Sequence, residues 1–384
     1  VAKKLRVGVM FGGKSGEHEV SLRSGASILK SIDRAKYDVV AIGIAKTGQW
    51  LGGGEADALL SGSVAPTIAA SKAKKDAAKK SAETGLSLEA SASTTAGLDV
   101  IFPVLHGTFG EDGTIQGMLE LADIAYVGSG VLGSSVGMDK DAMKKMFAMA
   151  GLPIVKHVTF LRSEWKANPK RCTKVIEEKL KYPVFVKPAN LGSSVGISKV
   201  RERAELAKAM DEAAAFDRKI VIEEGVSGNG KLKGKGKARE LEIAVLGNDA
   251  PIASVVGEIV PDREFYDYAS KYDSTSTSEP IIPAKITKAQ AKEMQAMAVA
   301  AFKSCDCSGL ARVDFLMEAA DPKSTKAPKI YLNEINTMPG FTSISMYPKL
   351  WEASGIGYSE LIDRLIALAV ERHDERAATS FSKD

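Results

Sequence analysis

At 384 residues the chain is too long for one small domain and fits two or three, since domains usually run to ~100–200 residues. Hydrophobic residues make up 45% and charged residues 26%, which excludes a wholly disordered or fibrous chain. The formal charge of +4 is local: Lys231, Lys233, Lys235, Lys237 and Arg239 cluster in one short stretch and leave the remainder close to neutral. With no cationic face interleaved with aromatics, nucleic-acid binding is not expected.

No apolar run approaches the ~18 residues of a membrane span, and Leu5–Met10 near the start is only strand-length. Neither a membrane partner nor export is expected, and the cytoplasm is the anticipated location. Cys172, Cys305 and Cys307 are too few for a disulfide framework, and Cys305-Asp-Cys307 lacks the second cysteine pair of a zinc site. Reduced structural thiols are expected.

Residues 5–11 read as a buried strand running into Gly12-Gly13 and then a helix from about Val20 to Ile32. A second strand over 38–45 follows at βαβ spacing, and 99–106 reads as a third strand ending in His106, so the first lobe should be a parallel sheet with helices on its faces. Residues 55–97 are dominated by Ala, Ser, Lys and Gly and read as a partly helical or poorly ordered excursion. Leu132-Gly-Ser-Ser-Val-Gly137 leads into an amphipathic helix over 141–150, which Gly151-Leu-Pro153 ends. The same five residues, Gly-Ser-Ser-Val-Gly, recur at 192–196 between strands 182–187 and 195–200, where they read as a mobile hairpin loop. Strands are expected at 219–224, 241–246, 310–317 and 329–335, and helices at 287–304 and 358–371.

Three constellations carry chemistry. Lys187 ends an apolar strand, where an ammonium needs a partner; a phosphate beneath the 192–196 glycine loop is one candidate, and a lysine snorkelling to water beside a plain turn is the alternative. By the period of two, Arg312 and Asp314 share a strand face, as do Glu334 and Asn336 on a neighbouring strand. Two carboxylates and an amide suit Mg²⁺, while an Arg312 salt bridge to Asp314 or Glu334 is the structural alternative. Gly12-Gly-Lys-Ser-Gly-Glu17 could hold an anion at a helix start or, with its glutamates, a cationic group.

Taken together these pieces resemble the ATP-grasp ligases, within them the D-alanine–D-alanine ligase family. The motifs are 11–21 (FGGKSGEHEVS), 105–117 (LHG with GEDGTIQG), 126–130 (YVGSG), 137–140 (GMDK), 186–196 (VKP with GSSVG), 265–272 (FYDYASKY) and 333–342 (NEINTMPGFT). The resemblance spans nearly the whole chain outside 55–97 and the lysine-rich insert 228–238. It implies an α/β fold with an N-terminal parallel-sheet substrate domain over 1–128, then a two-lobed ATP-grasp module with antiparallel sheets. The central lobe would cover 129–221, and the C-terminal lobe, with the metal and acyl-transfer site, 222–384.

The resemblance also implies roles. ATP phosphates would be held by Lys140 and Lys187, with Ser193, Glu223, Glu224, Val226, Glu240, Phe265 and Lys271 completing the nucleotide site. Mg²⁺, or Mn²⁺, would fall to Asp314, Glu334 and Asn336. Glu17, linked through Ser193 to Tyr272, would receive the first D-alanine's ammonium beside His106. Arg312 and the Gly340 N–H would face a developing oxyanion, and Ser345 and Met346 the second D-alanine's carboxylate. The implied reaction passes through an acylphosphate to D-alanyl-D-alanine, releases ADP and phosphate, serves peptidoglycan synthesis and belongs to a homodimer. A D-lactate or D-serine acceptor, or a catalytically silent ATP-binding regulator, are the rival readings; Tyr272 argues against lactate. The assignment of Glu240 depends on where the insert is placed.

Overall fold

Leu5–Gly12 (β1) is apolar at nearly every position and is buried from Val7 onward, as a parallel strand covered on both faces must be. The computed structural model describes residues 3–62, 95, 97–227, 237–260, 280–380 and 382. His18–Ser31 (α1) follows β1, and Tyr37–Ile44 (β2) returns parallel to it. Trp50–Gly52 (β3) turns back antiparallel to β2 before Gly54–Leu60 (α2). Val100–Pro103 (β4) pairs parallel with β1; Thr114–Leu121 (α3) then leads to Ala125–Tyr126 (β5), parallel to β4. The first sheet therefore runs β3-β2-β1-β4-β5. The expected strand over 99–106 ends at Pro103, so His106 lies beyond the strand's C-terminal end, the side where open parallel sheets bind ligands.

Val131–Met138 (α4) and Lys140–Met149 (α5) follow. Asp139 caps α5 by accepting from the N–H groups of Asp141 and Ala142. Met143 and Phe147 are buried among residues of the third sheet, so α5, expected within a central lobe starting at 129, packs its apolar side on the C-terminal one.

The second sheet is antiparallel, in the order β6-β9-β7-β8. It comprises His157–Leu161 (β6), Val184–Pro188 (β7), Ser198–Val200 (β8) and Lys219–Glu224 (β9). Arg162–Ala167 (α6) and Pro169–Lys179 (α7) precede β7, and Arg203–Phe216 (α8) precedes β9. A boundary at 221 would cut β9 in two; its pairing with β6 and β7 carries this sheet to Glu224.

The third sheet runs β12-β11-β10-β13-β14, antiparallel throughout. Its strands are Arg239–Gly247 (β10), Ile252–Ile259 (β11), Pro280–Ile281 (β12), Gly309–Met317 (β13) and Ile330–Asn336 (β14). Lys288–Ser304 (α9), capped by Thr287, covers one face. Met346–Ala353 (α10) and Tyr358–Ala377 (α11) cover the other, and their apolar residues share a core with β1 and β4. The first and third sheets are thereby locked about common helices.

All three cysteines are free and buried, Cys172 in the core of the second sheet and Cys305 and Cys307 in that of the third. Among the described residues no helix is long and apolar enough to cross a membrane. Phe265, Lys271 and Tyr272 lie outside the described residues, as do most of 55–97 and of the 228–238 insert.

Candidate functional site

The Gly12-Gly13 turn aims the chain from β1 toward α1, with Glu17 at the N-cap position. Gly12 has φ +97°, and a Cβ there would lie 2.1 Å from the Ile44 carbonyl oxygen, so only glycine fits. Glu17 accepts a hydrogen bond from Ser193 Oγ across the gap between the first two sheets. Its carboxylate is flanked by Gly107 and Gly192, where a Cβ would approach Oε2 to 2.8 and 2.9 Å. Ser193 and Ser194 both take left-handed backbone, φ 51° and 61°, an uncommon conformation for non-glycine residues.

His106 is buried beside this carboxylate, with Ser24 Oγ 3.0 Å from Nε2 and the Met338 carbonyl 3.0 Å from Nδ1. Burial disfavours its charged form, but Glu111, 3.6 Å away, with Glu17 and the Met338 carbonyl, outweighs this and moves the imidazole's pKa up. Burial moves the Glu111 carboxyl up as well. Neither Ser24 nor Glu111 is marked by the sequence pattern; Glu111 lies in the Gly-Glu-Asp-Gly run, where nothing in the spacing points to a histidine.

Two lysines converge on one carboxylate, and a third stands close by. Lys187 Nζ lies 2.8 Å from Glu223 Oε2, and Lys144 Nζ 3.0 Å from Oε1. Lys140, one helical turn before Lys144, donates to the Leu191 carbonyl at 2.7 Å, reaching the start of the glycine loop. Burial pushes Lys140 and Lys144 below the ordinary lysine range; Lys187, although also buried, is raised because Glu223 and Glu334 outweigh the desolvation. Glu223 responds in the opposite sense: burial would raise it, but Lys144 and Lys187 hold it down to about 2. Lys144 was missed, although its i, i+4 spacing from Lys140 puts both on one helix face. Glu224 accepts from the Lys181 N–H at 3.0 Å, Val226 follows the end of β9, and Glu240 on β10 acts electrostatically on Lys187.

On β13 and β14 the register sets Asp314 opposite Glu334 and Arg312 opposite Asn336. Arg312 clasps Asp314 through two 2.7 Å hydrogen bonds, and Glu242 on β10 lies 3.1 Å from its Nε. The structural alternative for Arg312 is thus present with Asp314, and Glu242 is a partner the sequence did not reveal. Asn336 spends an amide N–H on Asp314 at 3.0 Å, leaving its oxygen as a donor atom. No group of three or more His, Cys, Asp or Glu able to hold a metal ion occurs among the described residues. The donor set of two carboxylates and one amide nevertheless fits Mg²⁺, a hard ion that keeps several waters and substrate oxygens.

Beyond β14 the chain turns through Gly340 to Ser345, the N-cap residue of α10. Ser345 Oγ receives the Thr342 N–H at 3.0 Å and lies near Gly340, where a Cβ would approach it to 3.2 Å. The Met346 side chain is buried in the core, so what it can offer a ligand is its backbone N–H at the helix start. The Phe341 N–H reaches Ser24 Oγ at 3.3 Å, joining this turn to the histidine.

A family model described as the D-ala D-ala ligase N-terminus matches residues 6–129, and one described as the C-terminus matches 146–367. A D-alanine–D-alanine ligase of Geobacillus thermodenitrificans is 49% identical over 386 residues, covering 99% of each chain. One of Chloroherpeton thalassium is 50% identical, over 97% of this chain and 98% of its own. Among solved structures, the D-alanine–D-alanine ligase of Coxiella burnetii aligns with a TM-score of 0.76 and 34% identity, over 98% of this chain and 97% of its own. The VanG D-Ala:D-Ser ligase of Enterococcus faecalis aligns with a TM-score of 0.76 and 35% identity, over 96% and 100%.

Proposed function

The chain belongs to the D-alanine–D-alanine ligase family, and from that membership we propose that it joins two D-alanine molecules into D-alanyl-D-alanine for peptidoglycan precursors, converting ATP to ADP and phosphate. The observation that supports this reading best is the buried lysine cluster near Glu334 of β14, with Glu17 bound to the adjoining glycine loop at Ser193.

Lys140 and Lys187, under the 192–196 loop, hold the ATP phosphates. Glu223, Glu224, Val226, Glu240, Phe265 and Lys271 bound the rest of the nucleotide. Asp314, Glu334 and Asn336 hold Mg²⁺ or Mn²⁺, which, when bound, neutralises charge on the transferring phosphoryl group. Glu17 pairs with the first D-alanine's ammonium, its carboxylate oriented by Ser193, with Tyr272 completing that link. The first D-alanine's carboxylate accepts the γ-phosphoryl, giving an acylphosphate. The second D-alanine's carboxylate sits at the start of α10, at Ser345 and the Met346 N–H, where the helix dipole favours negative charge. Its amine attacks the acylphosphate carbonyl; Arg312 and the Gly340 N–H stabilise the oxyanion before phosphate leaves. His106, held by Ser24 and Met338, keeps the first amino acid in place. A homodimer is part of the same reading and is checked by light scattering.

Phosphate release from ATP with D-alanine, set against L-alanine, tests the activity. Release that depends on D-alanine and yields the dipeptide is expected; release indifferent to the amino acid's handedness, or none, overturns the reading. D-serine and D-lactate in the same assay define the acceptor, and D-alanyl-D-alanine is expected to dominate.

A further inference from the structure

Lys144 and Lys145 are neighbours on α5 with opposite fates. The Lys145 side chain is 69% exposed, as a helix-surface lysine should be, whereas that of Lys144 is 1% exposed. Its ammonium is held by Glu223 Oε1 at 3.0 Å and by the Asn333 carbonyl at 3.2 Å. The Glu223 carboxylate is shared, its other oxygen being 2.8 Å from Lys187, whose side chain retains 12% exposure. Lys187 can meet a ligand and Lys144 cannot.

This arrangement solves a problem of exchange. A phosphate arriving at Lys187 competes with Glu223 for the same ammonium. If Lys187 were the only partner, its departure would leave a buried carboxylate uncompensated, an expensive state. With Lys144 in place the carboxylate remains paired throughout. We propose that Lys144 is a positioning residue for nucleotide phosphates it never touches: by neutralising Glu223 it frees Lys187 to exchange a carboxylate for a phosphate. The proposal rests on the reading that Lys140 and Lys187 hold the ATP phosphates. The cluster sets three ammoniums against two carboxylates, Glu223 and Glu334, and the surplus positive charge is one that an anion relieves.

The alternative is that Lys144 merely ties α5 to β9 and β14. The two differ in what they do to adenosine, which has no phosphate. Calorimetry would compare ATP and adenosine binding to the wild-type protein, to Lys144→Met and to Lys144→Met/Glu223→Gln. Lys144→Met should lower the ratio of ATP to adenosine affinity at least ~10-fold, since it removes the surplus positive charge and binds Lys187 to Glu223. The double variant removes one charge of each sign, restores the surplus, and should bring the ratio to within ~3-fold of wild type. Equal losses for both ligands in Lys144→Met overturn the proposal. Should Lys144→Met fail to fold, Lys144→Gln, which keeps a donor for the Asn333 carbonyl but no charge, decides: a ratio ~10-fold down supports the proposal, and an unchanged one overturns it. A wild-type protein that binds adenosine and ATP alike would overturn the phosphate-site reading itself, and this proposal with it.

Discussion

Glu223 is buried, yet two ammoniums hold its carboxyl down to about 2 against an ordinary 4.5. A depressed carboxyl contributes stability that is present above its unfolded value and lost as pH falls through the folded one. The window here is therefore about 4.5 down to 2. Glu223→Gln should remove that acid-labile contribution and, by leaving Lys144 buried without its charge partner, cost ~3–5 kcal/mol near neutrality. Urea unfolding of both proteins near pH 7 and about 3.5 checks this: the gap between them should narrow on acidification, and a constant gap contradicts the assignment. Glu334 belongs to the chemistry in the proposed reading, facing Asp314 across β13 and β14. Glu334→Gln should lower kcat by at least ~100-fold with helix and sheet content unchanged, since a metal carboxylate beside a transferring phosphate is felt mainly in the transition state. Near-normal turnover would remove Glu334 from the metal site.

The connection from β1 to α1 shows how an element places a site. Gly12 donates its N–H to Ser21 Oγ at 2.7 Å, and Ser21 Oγ in turn reaches the Val104 carbonyl, so one serine ties β1, α1 and the end of β4 together. Gly12→Ala combines a positive-φ penalty with a clash against Ile44 and should cost about 2–4 kcal/mol, read as a lower unfolding midpoint. Glu17, five residues on, should be displaced with it, raising the KM for D-alanine. Period-two patterning made the 310–317 and 329–335 strands legible, and with them the shared faces of Arg312 with Asp314 and of Glu334 with Asn336. Strand β3, at three residues, was too short to produce a pattern, and β11 was hidden by small residues such as Ala253, Ser254 and Gly257. Lys144 escaped because a lysine on an amphipathic helix reads as solvated surface, and Glu242 because only β10–β13 pairing brings it to Arg312.

The three sheets are not equally joined. The first and third share α10 and α11 as a common apolar core, while a described bond from the second to the first is the Ser193–Glu17 contact through a glycine-rich loop. Losing that hydroxyl should register on the amino acid and not the nucleotide. Ser193→Ala is expected to raise the KM for D-alanine ~10-fold, as befits a hydrogen bond to a charged group, with the Kd for ATP within ~2-fold. A comparable loss of ATP affinity would assign the hydroxyl to the phosphates instead. The cysteines supply an independent gauge of this uneven joining. Burial pushes the Cys305 thiol up to about 12 and displaces Cys307 and Cys172 upward too, so none offers a thiolate to solvent in the native state. An alkylating reagent should therefore leave the folded protein unmodified and still active. Mapped by mass spectrometry in rising denaturant, adducts at Cys172 should precede those at Cys305 and Cys307, because the second sheet's core stands alone, whereas the third sheet, which covers Cys305 and Cys307 on one face, packs its other face into the core of the first. Simultaneous adducts at all three would mean that the sheets unfold as one unit. The cysteines thus act as built-in clocks, timing how each core opens without an added probe.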